Sequence, residues 1–254
     1  MFPKVSLILT TYNSAENIGT TLSSILEQDY PEIEIIVKDG GSFDETQSIV
    51  NQYISENKGN IKLIIKPDTG IYDAMDQGYA YSTGDIIAFF NDRFVRKDAV
   101  SQMVNAMNQT NPRTGKPYIG VHADLVYSEG DKVIRSWHMG QGEIKDGWMP
   151  GHPTLYLRRE VYERYGLYDT SYKISADYEF MIRILKNGNE LAYYPETIIS
   201  MYYGGTSTST FSSYIDSLKE GHRSLVSNGI KNAWVVDLRR TIRVLKQFIR
   251  RSGK

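Results

Sequence analysis

Residues 5–39 read VSLILTTYNSAENIGTTLSSILEQDYPEIEIIVKD, and the hydrophobic period changes twice within them. Val5, Leu7, Ile8 and Leu9 form an apolar run of strand length that stops at Thr10, Thr11, Tyr12 and Asn13. Ser14 is a fitting N-cap, after which Ile18, Leu22, Ile25 and Leu26 recur at helical spacing. Pro31 closes that unit, and residues 33–37 (IEIIV) begin the next strand, ending at the turn residues Asp39, Gly40, Gly41 and Ser42. Strand, helix, strand over 35 residues is the pattern of a parallel pair joined by a crossover helix.

The pattern continues outward. A second helix is predicted over 44–55, a third strand over 61–65, a third helix over 71–81 and a fourth strand over 86–90. Such alternation predicts a parallel sheet covered on both faces, with ligands binding beyond the carboxyl ends of its strands. Polar residues collect at those ends: 10–13, 39–42, 66–69 and 91–93. One polar strand end is a loop, whereas four in succession outline a cleft. The second half is less regular, with a strand predicted over 121–127, a hairpin turn over 128–131 and helices over 158–165 and 177–186. Eleven of the 19 tyrosines lie between 156 and 214. They suit either a ligand-binding surface or core packing, having flat apolar faces and polar tips.

Several chemistries are excluded by what these loops lack. Cysteine is absent, which removes disulfides, thiolate nucleophiles and thiolate metal sites and fits a reducing, cytoplasmic compartment. The loop after the first strand has no G-x-G-x-x-G fingerprint, no Walker loop is present, and no G-x-S-x-G elbow occurs. The four histidines show no zinc spacing. No apolar run approaches the ~18 residues needed to span a bilayer, and the N-terminus does not read as a signal peptide. Carboxylates remain as the chemical resource.

The segments VSLILTTYNSAENIGTTLSSILEQDYPEIEIIVKDGGSFDET, DTGIYDAMDQGYAYSTGDIIAFFND and GHPTLYLRREVYERYGLYDTSYKISADYEFMIRI, in that order, resemble family 2 glycosyltransferases of bacterial polysaccharide biosynthesis, over about residues 3–205. The resemblance implies a GT-A fold of α/β class, with a Rossmann-like mixed, mainly parallel sheet flanked by helices. It implies an inverting enzyme that moves a sugar from a nucleotide sugar, expected to be UDP-linked, to a saccharide or polyprenyl-diphosphate-linked acceptor. By resemblance Asp39 reads the base and Tyr12 lines its pocket, with Thr10 and Asn13 in the same loop. Lys66 and Asp73 are candidates for the donor sugar side, although a helix start at 69–71 also calls for capping residues.

Residues Asn91-Asp92-Arg93 depart from the family pattern, in which paired acids hold Mg²⁺ or Mn²⁺ against the donor diphosphate. Asp92 is the only acid here. A single carboxylate can hold a hard cation that keeps waters and diphosphate oxygens, and Arg93 offers a guanidinium that pairs with phosphate. Asp177, in SADYE, matches the family's catalytic base, and an N-cap would favour the same residue type. His152, in GHPT, falls on the acceptor side. Arg183 could reach an acceptor phosphate or pair with Glu179 one helical turn away.

One domain is expected over 1–220, with a nucleotide-binding half to about 95 and an acceptor half over 96–220, followed by a basic amphipathic helical extension over 221–254. Residues 231–254 carry a net +7 against −8 for the rest of the chain. Such a helix reads as an element for an anionic membrane surface, making the enzyme peripheral on the inner face of the plasma membrane. Packing against the domain and a homo-oligomer contact are the rival readings. Nucleic acid is not expected, because no stacking module accompanies the charge. Two other functions have weaker support. A sugar nucleotidyltransferase would want a Gly-rich, Arg-containing first loop, and a non-catalytic nucleotide-sugar-binding subunit has only the altered motif at 91–93 in its favour.

Overall fold

The computed structural model describes residues 2–56, 59–130, 132–202 and 211–249. Parts of the sequence reading, namely residue 131 of the hairpin turn, residues 203–210 and the last residues 250–254, lie outside the described residues. The first half is laid out as the periodicity predicts: β1 (Val5–Thr11), α1 (Ala15–Leu26), β2 (Ile33–Asp39), α2 (Thr46–Ser55), β3 (Ile61–Ile65), α3 (Ile71–Tyr81) and β4 (Ile86–Phe89). β2, β1 and β4 are parallel neighbours, and β3 is parallel to β2 on the outer side. Their side chains alternate. Leu7, Leu9, Ile35, Val37 and Ala88 pack with α1 and α2 on one face, while Ile8, Ile36, Ile87 and Phe89 pack with α3 on the other. Burial on both faces is why these strands read as nearly unbroken apolar runs.

The second half completes the sheet with a parallel pair, β6 and β9, flanked by antiparallel strands. It runs β5 (Arg93–Phe94), α4 (Ala99–Met107), β6 (Gly120–Glu129), β7 (Lys132–Trp137), β8 (Tyr156–Arg158), α5 (Arg159–Tyr165), α6 (Ala176–Leu185) and β9 (Leu191–Tyr202). The order across the sheet is β3-β2-β1-β4-β8-β6-β9-β5, with β7 beside β6, making nine strands among the described residues. β8 is antiparallel to both β4 and β6 and so joins the parallel half to the rest. The tyrosines of this half serve chiefly the core: Tyr156, Tyr162, Tyr168, Tyr172 and Tyr178 are all buried.

Two helices follow, α7 (Phe211–Ser227) and α8 (Ala233–Ile249). The break falls at Gly229 and Asn232, both with positive φ. Leu225, Ala233 and Val236 form a small core with Ile144, Tyr178 and Ile182, so the extension is docked on the body through its apolar seam. Among the described residues no helix is long and apolar enough to cross a membrane.

Candidate active site

β1 pairs with β2 on one side and β4 on the other, and the connecting helices change face there, with α1 and α2 on one side and α3 on the other. A crevice opens at such a switch point. Its floor is clasped by Asn91, which accepts from the Thr10 N–H through Oδ1 at 2.8 Å and donates through Nδ2 to Thr10 Oγ1 at 2.9 Å. Thr10 and Asn91 thus bind each other across the strand ends, which keeps β1 and β4 in step where the ligand loops begin.

Asp39 ends β2 and is fully buried. Its Oδ1 accepts from the N–H groups of Gly41 (2.9 Å) and Ser42 (2.7 Å) and from Gln47 Nε2 (2.8 Å), while Oδ2 accepts from Ser42 Oγ (2.6 Å) and Thr11 Oγ1 (3.1 Å). Burial alone would raise its pKa, but the donors of Ser42, Gln47 and Gly41 outweigh burial and hold the carboxyl below the usual range. The resemblance makes Asp39 a base reader. Its visible work is to shape the loop 40–43, so any base N–H would share an oxygen already engaged. Asn13 belongs to the same loop pair: its N–H donates to Ser42 Oγ (2.8 Å), and its Oδ1 accepts from the Phe43 N–H (3.1 Å). Above this network stand two exposed rings, Tyr12 (61%) and Phe43 (83%), with centroids 6.2 Å apart and planes at 82°. Phe43 was missed from sequence because an aromatic after Gly-Gly-Ser reads as an ordinary loop residue.

Behind the loop lies a fully buried lysine. Lys38 Nζ pairs with Asp68 at 2.7 Å, and the Asp68 carboxylate also accepts from the Gly70 N–H at 3.2 Å. A buried cation needs such a partner, so Lys38 fixes the start of α3 against β2. Gly40 makes room for the pair, since a Cβ there would come within 2.9 Å of Asp68 Oδ2. Asp73, a candidate for the donor sugar, accepts from the Thr69 N–H (2.8 Å), from Thr69 Oγ1 (3.1 Å) and from Gln77 Nε2 (3.2 Å). It therefore closes the first turn of its own helix, as a capping residue does. Lys66 is exposed just beyond β3.

α3 also carries a link to the second half of the chain. Tyr72 is buried, and its hydroxyl lies 2.6 Å from the Ile174 carbonyl and 3.2 Å from Asp177 Oδ1. Burial, reinforced by the Asp177 charge, raises the Tyr72 phenol strongly, so it stays a protonated donor. Asp177 is the second residue of α6, whose N-cap is Ser175, so Asp177 itself is not the cap. The loop before α6 is held from outside. Glu220 of α7 accepts from three successive N–H groups, those of Lys173, Ile174 and Ser175, each at 2.9 Å. Nothing in the sequence marked Glu220, because a glutamate on an amphipathic helix looks like any solvated charge. Tyr72 could have been found, as it sits inside the quoted segment DTGIYDAMDQG.

His152 stacks on Phe89 (5.9 Å) and meets Tyr168 edge-on (5.9 Å). Its Nε2 is buried without a hydrogen-bond partner among the described residues. Burial lowers its pKa, against the opposing charge of Asp177, so the ring is neutral. Arg183 is not brought to this cleft. Its guanidinium is taken by Glu179 (2.7 Å) and by the carbonyls of Tyr165 (2.5 Å) and Leu167 (2.8 Å). Of the two readings, pairing along the helix is the observed one.

Asp92 follows the clasp residue Asn91 and is buried. Loss of water pushes its carboxyl up to about 7, and among the described residues the Tyr202 N–H alone favours the charged form. Among the described residues no group of three or more histidines or acids is placed to hold a metal. A single carboxylate short of protein partners still fits a hard cation that draws its other ligands from diphosphate and water. Arg93 opens β5 and pairs there with Ser200 of β9.

This mixed sheet, with its cleft at the parallel strand ends, defines the GT-A architecture. The family model described as glycosyl transferase family 2 matches residues 6–166, and the chain belongs to that family. It is 30% identical over 217 residues to a PGL/p-HBAD biosynthesis glycosyltransferase of Mycobacterium bovis, covering 81% of this chain and 79% of the relative. An uncharacterized glycosyltransferase of Mycobacterium tuberculosis is 32% identical over 189 residues, covering 71% of this chain and 68% of that one. Among solved structures, Staphylococcus aureus TarS 1-349 in complex with UDP-GlcNAc superimposes with a TM-score of 0.73 at 18% identity, over 96% of this chain and 73% of that one. The mannosyltransferase PcManGT of Pyrobaculum calidifontis, in complex with GDP-Man and Mn²⁺, gives 0.67 at 18% identity, over 100% and 77%. The chain is a glycosyltransferase of GT-A fold.

Proposed function

We propose that this glycosyltransferase inverts the anomeric centre, taking a sugar from a UDP-linked donor to a saccharide or lipid-linked saccharide of the cell surface. The observation that carries the reading is the bond from Tyr72 to Asp177, which ties a carboxylate on the acceptor side to the helix that opens beside the nucleotide loops. The UDP choice draws on the likeness to TarS, whose structure holds UDP-GlcNAc. Tyr12 and Phe43 offer the base an aromatic notch, with Asp39 shaping the loop beneath it. Thr10, Asn13 and Asn91 frame the ribose and diphosphate, while Lys66 and Asp73 border the sugar. The acceptor hydroxyl attacks C1 and gives its proton to Asp177, as the bond from C1 to the diphosphate oxygen breaks. One displacement, with no covalent enzyme intermediate, inverts the centre. His152, neutral and with Nε2 unpartnered, is suited to receive a hydrogen bond from the acceptor or to donate one.

Asp92 would hold Mg²⁺ or Mn²⁺, and Arg93 stands next to it as a further positive group. When bound, the cation neutralises charge developing on the departing diphosphate. A lipid-linked acceptor sets the work at the cytoplasmic face of the plasma membrane.

The test is a panel of nucleotide sugars scored for release of nucleoside diphosphate, with Mn²⁺, Mg²⁺ or EDTA, and then with candidate acceptors. Asp177→Asn should retain donor binding and lose transfer by about 10²–10⁴-fold, the usual contribution of a general base. Transfer near the wild-type rate would remove Asp177 as the base. Full activity in EDTA would reject the metal role of Asp92.

A further inference from the structure

α8 is fixed on the body by one side. Ala233 and Val236 enter the small core with Leu225 and Tyr178, and the Arg240 guanidinium lies over the Tyr178 ring at 4.5 Å. Arg239 donates to the Lys145 carbonyl (2.9 Å) and to Asp146 (3.3 Å), and Arg243 Nε donates to the Asp146 carbonyl (3.1 Å). Much of the basic charge that seemed destined for solvent therefore holds the helix to its own domain. The outward side is apolar instead. Trp234, Leu238 and Ile242 are 68%, 54% and 42% exposed, and their spacing of four puts them in one row. The sequence continues at steps of three and four to Leu245 and Ile249, followed by Arg250, Arg251 and Lys254.

We propose that this row docks on the surface of an anionic lipid bilayer, with Trp234, Leu238 and Ile242 dipping between headgroups and the helix lying in the plane of the interface. Three observations select that occupant. The segment 231–254 is +7 while the rest of the chain is −8, so an anionic surface attracts this end and repels the remainder, which fixes one orientation. A second copy would bring one +7 segment against another. A tryptophan heading an apolar row beside lysines and arginines also matches the headgroup level of a membrane. The inference rests on the membrane-surface reading above for where the enzyme works, but its test needs no turnover and so stands or falls separately.

The full chain is mixed with phosphatidylcholine vesicles and with phosphatidylcholine–phosphatidylglycerol vesicles, then floated on a density gradient. Binding to the anionic vesicles alone, weakened by salt as the Debye length shrinks, is the expected result. The triple variant Trp234→Ser, Leu238→Ser, Ile242→Ser should lose at least about tenfold in partitioning, because insertion of the apolar row is removed. Equal binding by the variant, or none by the wild type, overturns the proposal. So does light scattering that finds a dimer which the triple variant dissociates. Should the variant misfold, quenching of tryptophan fluorescence by brominated lipid in the wild type serves instead. Of the other two tryptophans, Trp148 is 4% exposed and Trp137 of β7 is partly buried, so quenching should fall in Trp234→Phe to the level those two sustain, and quenching unchanged by that substitution would also overturn the proposal.

Discussion

Glu220 accepts three consecutive backbone N–H groups, and no other side chain does as much for the stretch preceding Asp177 among the described residues. Glu220→Gln can keep only one accepting oxygen and sets an NH₂ against donors. On the proposed mechanism turnover should fall by about tenfold or more, since hydrogen bonds to a charged group contribute about 1.5–3 kcal/mol each. The donor KM should hardly move, because the nucleotide loops lie elsewhere, and steady-state kinetics would separate the two. Asp76 behaves differently. Burial pushes its carboxyl up to about 6, against the Tyr168 N–H that favours the charged form. Between the unfolded value of 3.8 and about 6 the folded protein holds the proton more tightly, so this group favours folding in acid and opposes it above pH 6. Asp76→Asn should raise the thermal midpoint at pH 8 and give little advantage near pH 4, as calorimetry across pH would reveal.

At the scale of elements, α3 packs tightly on the sheet at Gly78. A Cβ at Gly78 would sit 2.4 Å from Ile8 Cγ2, and Ile8 is fully buried and cannot retreat. Gly78→Ala should therefore cost about 1–3 kcal/mol as an overpacked core does, despite alanine's better helix propensity; urea denaturation would measure it. The same tight packing explains which elements sequence could foretell. β1, β2 and β4 appear within a residue or two of their expected bounds because burial on both faces writes an apolar run, and α3 appears at its bounds because a crossover helix writes a 3.6 period; β3, only part-buried at the outer side of the sheet, shows at its bounds through its short isoleucine-rich run alone. β9 escaped notice because Pro195 and Glu196 interrupt it and its register with β6 shifts twice around Asp124. β5 and β8 are too short for any period to show, and α4 follows β5 after only four residues, with no turn signal to announce it. The site divides likewise. Strand-end residues were legible from position, whereas Phe43, Lys38 and Glu220 acquire meaning only from what folding sets beside them.

For the molecule as a whole, two buried carboxylates stand at opposite ends of β2. Glu34, at the amino end, accepts from Ser6, Thr83 and Gly84 and lies near Lys62; burial would raise its pKa, but those partners hold it below the usual range, as others do for Asp39. Groups with depressed folded values stabilise above their unfolded values, 4.5 for Glu34 and 3.8 for Asp39, and lose that contribution as pH falls through the folded ones. The urea midpoint should thus drop steeply below about pH 4.5, and Glu34→Gln, less stable at neutrality, should show a shallower drop. A flat acid limb in the wild type would contradict both assignments.

The hold that α7 exerts on the stretch 173–175 has a consequence for engineering. The family match ends at residue 166, before both Asp177 and Glu220. The proposed base is thus braced from beyond the family match as well as from within it, by Glu220 of α7 and by Tyr72 of α3. Chimeras between relatives should be spliced ahead of residue 173, so that α6, α7 and α8 travel together. A graft that carries Asp177 without Glu220 would inherit the proposed base and leave behind the brace on the loop before it.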